Sequence, residues 1–366
     1  MKSLVVGGTG PTGPYIVEGL LKRGYDVTIF HRGTHEVDLP KEVEHIHGDP
    51  HFKETIETSL SGRKFDLVIC MYGRLRYIAE MMKGRTDRFI AIGGAVVYKG
   101  IFKPEHNPDG IPVPINEDAP LETDPEQNRF SYLMAVSEQT VMDAHHQEQY
   151  QGVVFRYPMV YGPRQLGPRE WCILRRILDG RKQIIIADGG LTLETRGYAE
   201  NMAHGVLLAV DQPEQSAGQI YNIGDVELLT FRRWIEHIFK IMNYDGELVE
   251  MPALMARPSR PYSGRTHHRV LDLTKIKTEL GYREAVSVEE AIRRTVQWYL
   301  EHRPQPGGEE ERQLKDPFDY EAEDRFIGAY RKSMDEILQI DYTRERFRHP
   351  YPHPKEPNRP RDEAGR

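Results

Sequence analysis

A chain of 366 residues that is 39% hydrophobic can bury one large core or two medium ones. A formal net charge of −7 and a pI near 6.1 argue against sequence-independent nucleic-acid binding, and two cysteines, Cys70 and Cys172, supply neither a disulfide framework nor metal-ligand spacing. No apolar run reaches membrane-spanning length and the first strand leaves no room for a signal peptide, so the expectation is a cytoplasmic protein with a small-molecule substrate, no metal, no nucleic acid and no membrane.

The first seventeen residues organise the rest. Ser3–Val6 is a short apolar run, followed at once by Gly7, Gly8, Thr9, Gly10, Pro11, Thr12 and Gly13. Ile16, Val17, Leu20 and Leu21 then recur at helical spacing. Strand, glycine turn and helix form a phosphate cradle. Gly7 permits the tight turn, Gly10 lets a pyrophosphate reach the backbone, and Gly13 lets the helix pack close to the strand. The helix N-terminus adds free N–H groups and a positive dipole end. A dinucleotide site is therefore expected here.

The second strand, Asp26–Phe30, ends in His31, Arg32 and Gly33. An acid at this point would bond a ribose 2′-hydroxyl and favour NAD, whereas an arginine accommodates the 2′-phosphate of NADP. With His31 and Arg32 and no acid, the expectation is NADP, with NAD as the alternative. A third strand, Val43–His47, leads to Asp49, which either accepts bonds from an adenine or caps the helix over Phe52–Leu60. Phe65–Met71 is an apolar run of the kind buried on both faces, and ends at Tyr72 and Gly73. Arg88–Ile92 and Gly152–Tyr157 are further strands, with helical stretches between most of them. The alternation predicts an α/β protein with a doubly wound parallel sheet, the Rossmann arrangement.

Beyond about residue 163 the rhythm changes. Helices are expected at Glu170–Gly180, Ala199–Val210 and Phe231–Met242, the last capped by Thr230, with short strands at Gln183–Ala187 and Gln219–Gly224. Ser287–Glu290 has capping-box spacing for a helix that ends near His302. The predicted organisation is a dinucleotide-binding domain over 1–163 and a smaller C-terminal substrate lobe over 164–302, from which the sheet may recover strands. A C-terminal helical tail follows over 303–366, with Ala322, Phe326, Tyr330, Met334 and Leu338 on one stripe and a disordered end.

Taken together, these motifs resemble the extended short-chain dehydrogenase/reductase superfamily of the NAD-dependent epimerase/dehydratase type. The residues that carry the resemblance are Gly7–Gly13, Ala95–Tyr98, Tyr132 and Arg156–Arg164, then Arg196–Ala203, Tyr221–Gly224 and Leu271–Tyr282. It implies a cofactor site that extends to Met71, Tyr72, Gly73, Tyr157 and Val160, and a homodimer formed through the helix carrying Tyr132 and the one before it. It also implies a Ser, Tyr and Lys trio, the Lys four residues after the Tyr. This chain keeps Tyr132 but has Val136 at the Lys position and Gly93–Gly94 at the Ser position.

A tyrosine with an ordinary pKa near ~10 is about one part in a thousand ionised at neutral pH. It is a poor base but can protonate a developing alkoxide, which suits carbonyl reduction. Tyr132 is therefore expected as proton donor, with Tyr98 orienting the substrate. Tyr72, Arg74, His145, His146, His267 and His268 are replacement candidates, although at helical rise the pair His145–His146 stands about 20 Å from Tyr132. Arg196, with Arg164, Arg169, Arg175 and Arg176, is read either as a grip for an anionic substrate or as solvated charge. The expected activity is an NAD(P)-dependent oxidoreductase acting on a carbonyl, hydroxyl or sugar-like small molecule. The alternatives are a redox-neutral lyase or isomerase with a retained dinucleotide, and a non-enzymatic dinucleotide-sensing binding protein.

Overall fold

The computed structural model describes residues 1–259, 267–344 and 357–358. The chain runs β1 (Lys2–Val6), α1 (Gly13–Lys22), β2 (Asp26–His31), β3 (Glu44–His47), α2 (Lys53–Leu60), β4 (Phe65–Cys70), α3 (Leu75–Met81) and β5 (Thr86–Gly94). It continues through α4 (Pro125–His146), β6 (Gln151–Tyr157), β7 (Met159–Tyr161), α5 (Trp171–Leu178), β8 (Gln183–Ala187), β9 (Arg196–Tyr198), α6 (Ala199–Asp211), α7 (Pro213–Ser216) and β10 (Ile220–Asn222). Then come α8 (Phe231–Ile241), β11 (Glu247–Met251), α9 (Thr274–Glu279), α10 (Val288–Glu301), α11 (Glu309–Leu314) and α12 (Tyr320–Leu338).

Seven strands form one parallel sheet in the order β10-β6-β5-β4-β1-β2-β3. The doubly wound α/β expectation is met. β1, β4 and β5 carry long apolar runs because helices cover both faces of the sheet. One core gathers Ile16, Leu20, Ile29, Ile69, Phe155 and Val206; the other gathers Val6, Phe30, Val68, Ile78, Phe89 and Val141. Strand order reverses at β1, between β4 and β2, which opens a crevice at the carboxyl ends there.

The region after β6 builds a second core around Trp171, Ile173, Ile186, Trp234, Ile238 and Tyr299, flanked by the strand pairs β7–β9 and β11–β8. Thr230 accepts a bond from the Arg233 amide at 3.1 Å and caps α8 as the sequence suggests, and Ser287 does the same for α10. This region is not sequestered from the sheet. β10 returns to pair with β6, and α6 packs so tightly on α1 that a Cβ at Gly19 would lie 2.3 Å from Leu207. Residues 303–319 hold onto the second core: Leu314 joins it, Glu311 accepts from Trp171 and Arg175, and Asp316 pairs with Arg176. Met1–Asp319 forms one compact unit and Tyr320–Arg366 a second. In that second unit Ile327 is buried on α12, while Phe326 and Leu338, both on the expected stripe, are exposed.

Candidate functional site

After β1 the chain turns with Gly7 at φ +103° and Gly8 at φ +89°, a backbone region that L side chains avoid. A Cβ on Gly13 would fall 2.2 Å from the Gly8 carbonyl oxygen, so α1 can begin against this turn only with glycine at 13. Gly10 is different, because a Cβ there would meet no protein atom within 4 Å. The packing of the chain leaves that position open, and the open space belongs to a cleft of about 300 Å³. A phosphate cradle requires this combination of a fixed turn and an empty approach to the backbone.

The cleft brings together Gly7, Gly8, Thr9, Gly10, Pro11 and Thr12 from the turn, His31 and Arg32 from the end of β2, Met71 and Tyr72 from the end of β4, and Tyr157 and Val160. Gly33, Thr34, His35, Ile92, Gln165 and Leu166 also line it and were not singled out from the sequence. Gln165 closes one wall because its amide donates to the Val160 carbonyl at 2.8 Å and its own carbonyl accepts from Tyr299. The Tyr299 contact spans more than a hundred residues, for which a linear motif carries no signal. Arg32 lies across the mouth, 5.6 Å from the centre of the Tyr72 ring. Burial holds the His31 imidazole below its ordinary pKa, against the opposing pull of Glu36.

Three residues of the expected cofactor set adjoin the cleft without lining it. Gly13 serves the packing described above. Gly73, at φ +86°, abuts Pro50, which a Cβ would approach within 2.5 Å. Asp49 accepts from both the amide and the ring nitrogen of His51. It neither lines the cleft nor caps α2, whose N-cap residue is Phe52.

At the other end of the same sheet edge, the polar groups close on one another. Arg156, on β6, is 2% exposed and donates to both carboxylate oxygens of Glu138 on α4. It also donates to the Tyr98 hydroxyl at 3.0 Å and to the Glu117 carbonyl at 2.7 Å. Tyr98 in turn donates to Asn222 Oδ1 at 2.7 Å, and Asn222 bonds Ile115 and Glu117. This hub ties β6, α4, β10 and the segment after β5 together. Burial pushes the Tyr98 phenol up to about 12, so it stays protonated at neutral pH and its oxygen is already committed. The structure thus puts Tyr98 in a buried network, not on the cleft wall.

The same hub fixes the rotation of α4. With about 100° per residue, Glu138 facing the sheet puts Ser131 and Met134 on nearly the same line and turns Tyr132, six residues back, about 120° away. Ser131 is buried, Met134 packs on the core, and Tyr132 is half-buried and absent from the cleft lining. Val136 occupies the expected lysine position. A Cβ on Gly93 would lie 2.8 Å from Glu138 Oε1, while one on Gly94 would meet only ordinary contacts at 3.5 Å and beyond.

The remaining candidates are scattered. His145 packs beside Gly152 and Gly218 near the amino ends of β5 and β6, away from the cleft. His267 contacts the Ile101 carbonyl and His268 accepts from the Leu193 amide. Residues 260–266 of the same loop lie outside the described residues. Arg176 is fully buried against Asp316, Arg175 pairs with Glu311, and Arg196 pairs with Glu170 and stacks on Trp234. Arg164 stacks on Trp298. Most of the arginine group is thus held by the protein's own acids and rings.

Residues 71–224 match the NAD dependent epimerase/dehydratase family. Over its length the chain is 24% identical to sterol-4-alpha-carboxylate 3-dehydrogenase, decarboxylating, of Mus musculus, covering 81% of this chain and 90% of that one. It is likewise 24% identical to UDP-N-acetyl-alpha-D-glucosaminuronate decarboxylase of Bacillus cytotoxicus, covering 82% and 98%. Among solved structures, the UDP-glucose 4-epimerase of Thermotoga maritima superposes with a TM-score of 0.67 at 21% identity, over 82% of this chain and 99% of that one. The UDP-glucuronic acid 4-epimerase of Bacillus cereus, solved with UDP-glucuronic acid and NAD, gives 0.64 at 19% identity over 82% and 100%. No helix among the described residues is long and apolar enough to cross a membrane. The glycine turn, the sheet order and the match over residues 71–224 agree with the resemblance to the extended short-chain dehydrogenase/reductase superfamily of the NAD-dependent epimerase/dehydratase type.

Proposed function

We propose that the protein is a nicotinamide dinucleotide-dependent enzyme of the epimerase/dehydratase type that acts on a carbonyl- or hydroxyl-bearing, sugar-like small molecule. The observation that carries this reading is the open position at Gly10 above a fixed turn, a space that the chain's own packing does not use. Gly7–Thr12 would hold the pyrophosphate, and His31 and Arg32 the adenosine ribose. Met71, Tyr72, Tyr157 and Val160 would wall the rest. A bound nicotinamide supplies hydride transfer. Arg32, with no acid next to it in the sequence at the end of β2, favours NADP over NAD.

Tyr132 is the proton donor in this reading. Of the two expected phenols it is the one in no hydrogen bond with another described residue, whereas Tyr98 is committed to Arg156 and Asn222. With no lysine four residues on to favour a phenolate, Tyr132 suits proton donation and the reductive direction. A homodimer in a cytoplasmic setting completes the proposal.

Two measurements test it. Calorimetric titration of NADP(H) and NAD(H) should show tighter binding of the phosphorylated form, with the preference lost in Arg32→Ala. Screening of nucleotide sugars and simpler carbonyls with the preferred cofactor should give turnover that Tyr132→Phe removes. Turnover unchanged by that substitution sinks the donor assignment, and failure of both dinucleotides to bind sinks the reading as a whole.

One observation favours a second reading. On the β5–β6 side Tyr98 is committed to a buried network, and Val136 stands where the lysine is expected. A chain that binds dinucleotide as a signal and performs no turnover fits that arrangement, and predicts tight cofactor binding with no product from any substrate tested.

A further inference from the structure

β2 and β3 run parallel with Ile29 opposite His45 and His31 opposite His47. Alternate residues of a strand share a face, and neighbouring strands in register share it too. His31, His45 and His47 therefore project from one face of the sheet edge. The loop after β2 returns Glu36 to the same spot.

The contacts are close. A ring nitrogen of His31 lies 3.1 Å from one of His45. Glu36 Oε1 lies 3.5 Å from His47 Nε2 and 4.0 Å from His31 Nδ1. One donor atom from each of the four residues falls within 4.8 Å of all the others, and no second such group of His, Cys, Asp and Glu occurs among the described residues.

We propose that His31, Glu36, His45 and His47 form a transition-metal site, of which Zn²⁺ is the expected occupant. Three imidazoles and one carboxylate with no thiolate suit Zn²⁺ and its neighbours in the first row. Mg²⁺ and Ca²⁺ call for oxygen donors. Bonds of roughly 2.0–2.1 Å at tetrahedral angles put ligand atoms about 3.3 Å apart; the His31 Nε2–His45 Nδ1 separation of 3.1 Å and the Glu36–His47 separation of 3.5 Å lie on either side of that value, and one donor atom from each of the four residues lies within 4.8 Å of the others. His31 is buried and oriented by its strand, while His45, His47 and Glu36 are exposed and can adjust by the remaining ångström. Four protein ligands close the shell, so the ion would have a structural role. It would staple the 32–36 loop, whose Gly33, Thr34 and His35 wall the cleft, to β3.

The experiment uses the full, tag-free chain stripped by a chelator. Calorimetry with Zn²⁺ should find one tight site per chain, and Co²⁺ should develop the intense visible bands of a four-coordinate ion. His45→Ala and His47→Ala, at exposed positions outside the cleft lining, should each weaken Zn²⁺ binding at least tenfold and remove the Co²⁺ bands. Glu36→Gln should weaken binding by less. Zn²⁺ should raise the melting temperature of the wild type and not of these histidine variants, whose metal-free melting temperatures report their folding directly. The double variant His145→Ala/His146→Ala removes a different histidine pair and should bind as the wild type does. A Co²⁺ spectrum that stays six-coordinate, or Zn²⁺ binding untouched by His45→Ala and His47→Ala, overturns the proposal.

Discussion

The two halves of the carboxyl edge of one sheet treat their polar groups in opposite ways. At β1 and β2 the backbone is held in place and left open: Gly7 and Gly8 are fixed by sterics, and the position of Gly10 faces free space. At β5, β6 and β10 the side chains satisfy one another, and Arg156, Glu138, Tyr98 and Asn222 leave little unused hydrogen-bonding capacity. An open, rigid cradle gains by binding something from outside, because a helix N-terminus presents N–H groups that have no intrahelical partner. A closed hub gains by staying as it is, because each buried member needs the others. The comparison separates two properties often treated as one, the capacity to hold a dinucleotide and the capacity to do chemistry beside it.

The largest expected effect comes from opening the closed half. Arg156→Met strands the Glu138 carboxylate in the core, and removing one partner of a buried ion pair costs about 3–5 kcal/mol. Chemical denaturation should show that loss, and the double variant Arg156→Met/Glu138→Leu should recover a large share of it. If Arg156→Met alone is neutral, the hub does not hold the sheet edge. Next in size is the open half. Gly10→Val should fold with wild-type stability yet bind dinucleotide at least 100-fold more weakly, about 2.7 kcal/mol. Wild-type binding by this variant means that the space above Gly10 is not the phosphate seat.

Adjacent glycines sharpen the contrast. Gly93→Ala should lose about 1–3 kcal/mol by pressing a methyl group on Glu138, whereas Gly94→Ala, with room around it, should lose less than ~0.5 kcal/mol. Equal losses would show that the Glu138 contact does not set the difference. Tyr98→Phe removes a hydroxyl that both donates and accepts, at about 1–2 kcal/mol, and should leave dinucleotide affinity unchanged. It should also soften the alkaline decline in stability: the native phenol is held up to about 12, so above pH ~10 the unfolded chain loses its proton first and stability falls. On the open half, Arg32→Ala should cost about tenfold in NADP affinity, or 1.4 kcal/mol, with none for NAD.

Much of the fold is legible in the sequence because its signals are local. Apolar runs at β1, β4 and β5, the glycine turn and the caps at Thr230 and Ser287 each act within a few residues. What escapes is whatever depends on partners far along the chain. Nothing near Tyr98 says that Arg156 and Asn222 will take its hydroxyl. The arginines at 175 and 176 read as free cations until α11 and the turn after it return Glu311 and Asp316 to them. The histidines at 31, 45 and 47 have no recognisable ligand spacing because their proximity comes from strand pairing. At Tyr132 the side-chain type is readable but its direction is not, since the rotation of α4 is set by Glu138 against Arg156, eighteen residues further along the chain.

The return of β10 to the sheet bears on how the chain reaches its native state. Residues 220–222 cover the edge of β6, and α6 covers α1. A nascent chain that has made only the first six strands, through Tyr157, therefore presents an unpaired edge and a bare apolar helix face until the residues up to Asn222 have emerged. Unprotected edges of this kind recruit other chains, and pairing across such sequence distances is slow. A fragment cut near residue 163 should accordingly aggregate where one extended through 222 does not, even though the glycine turn is complete in both.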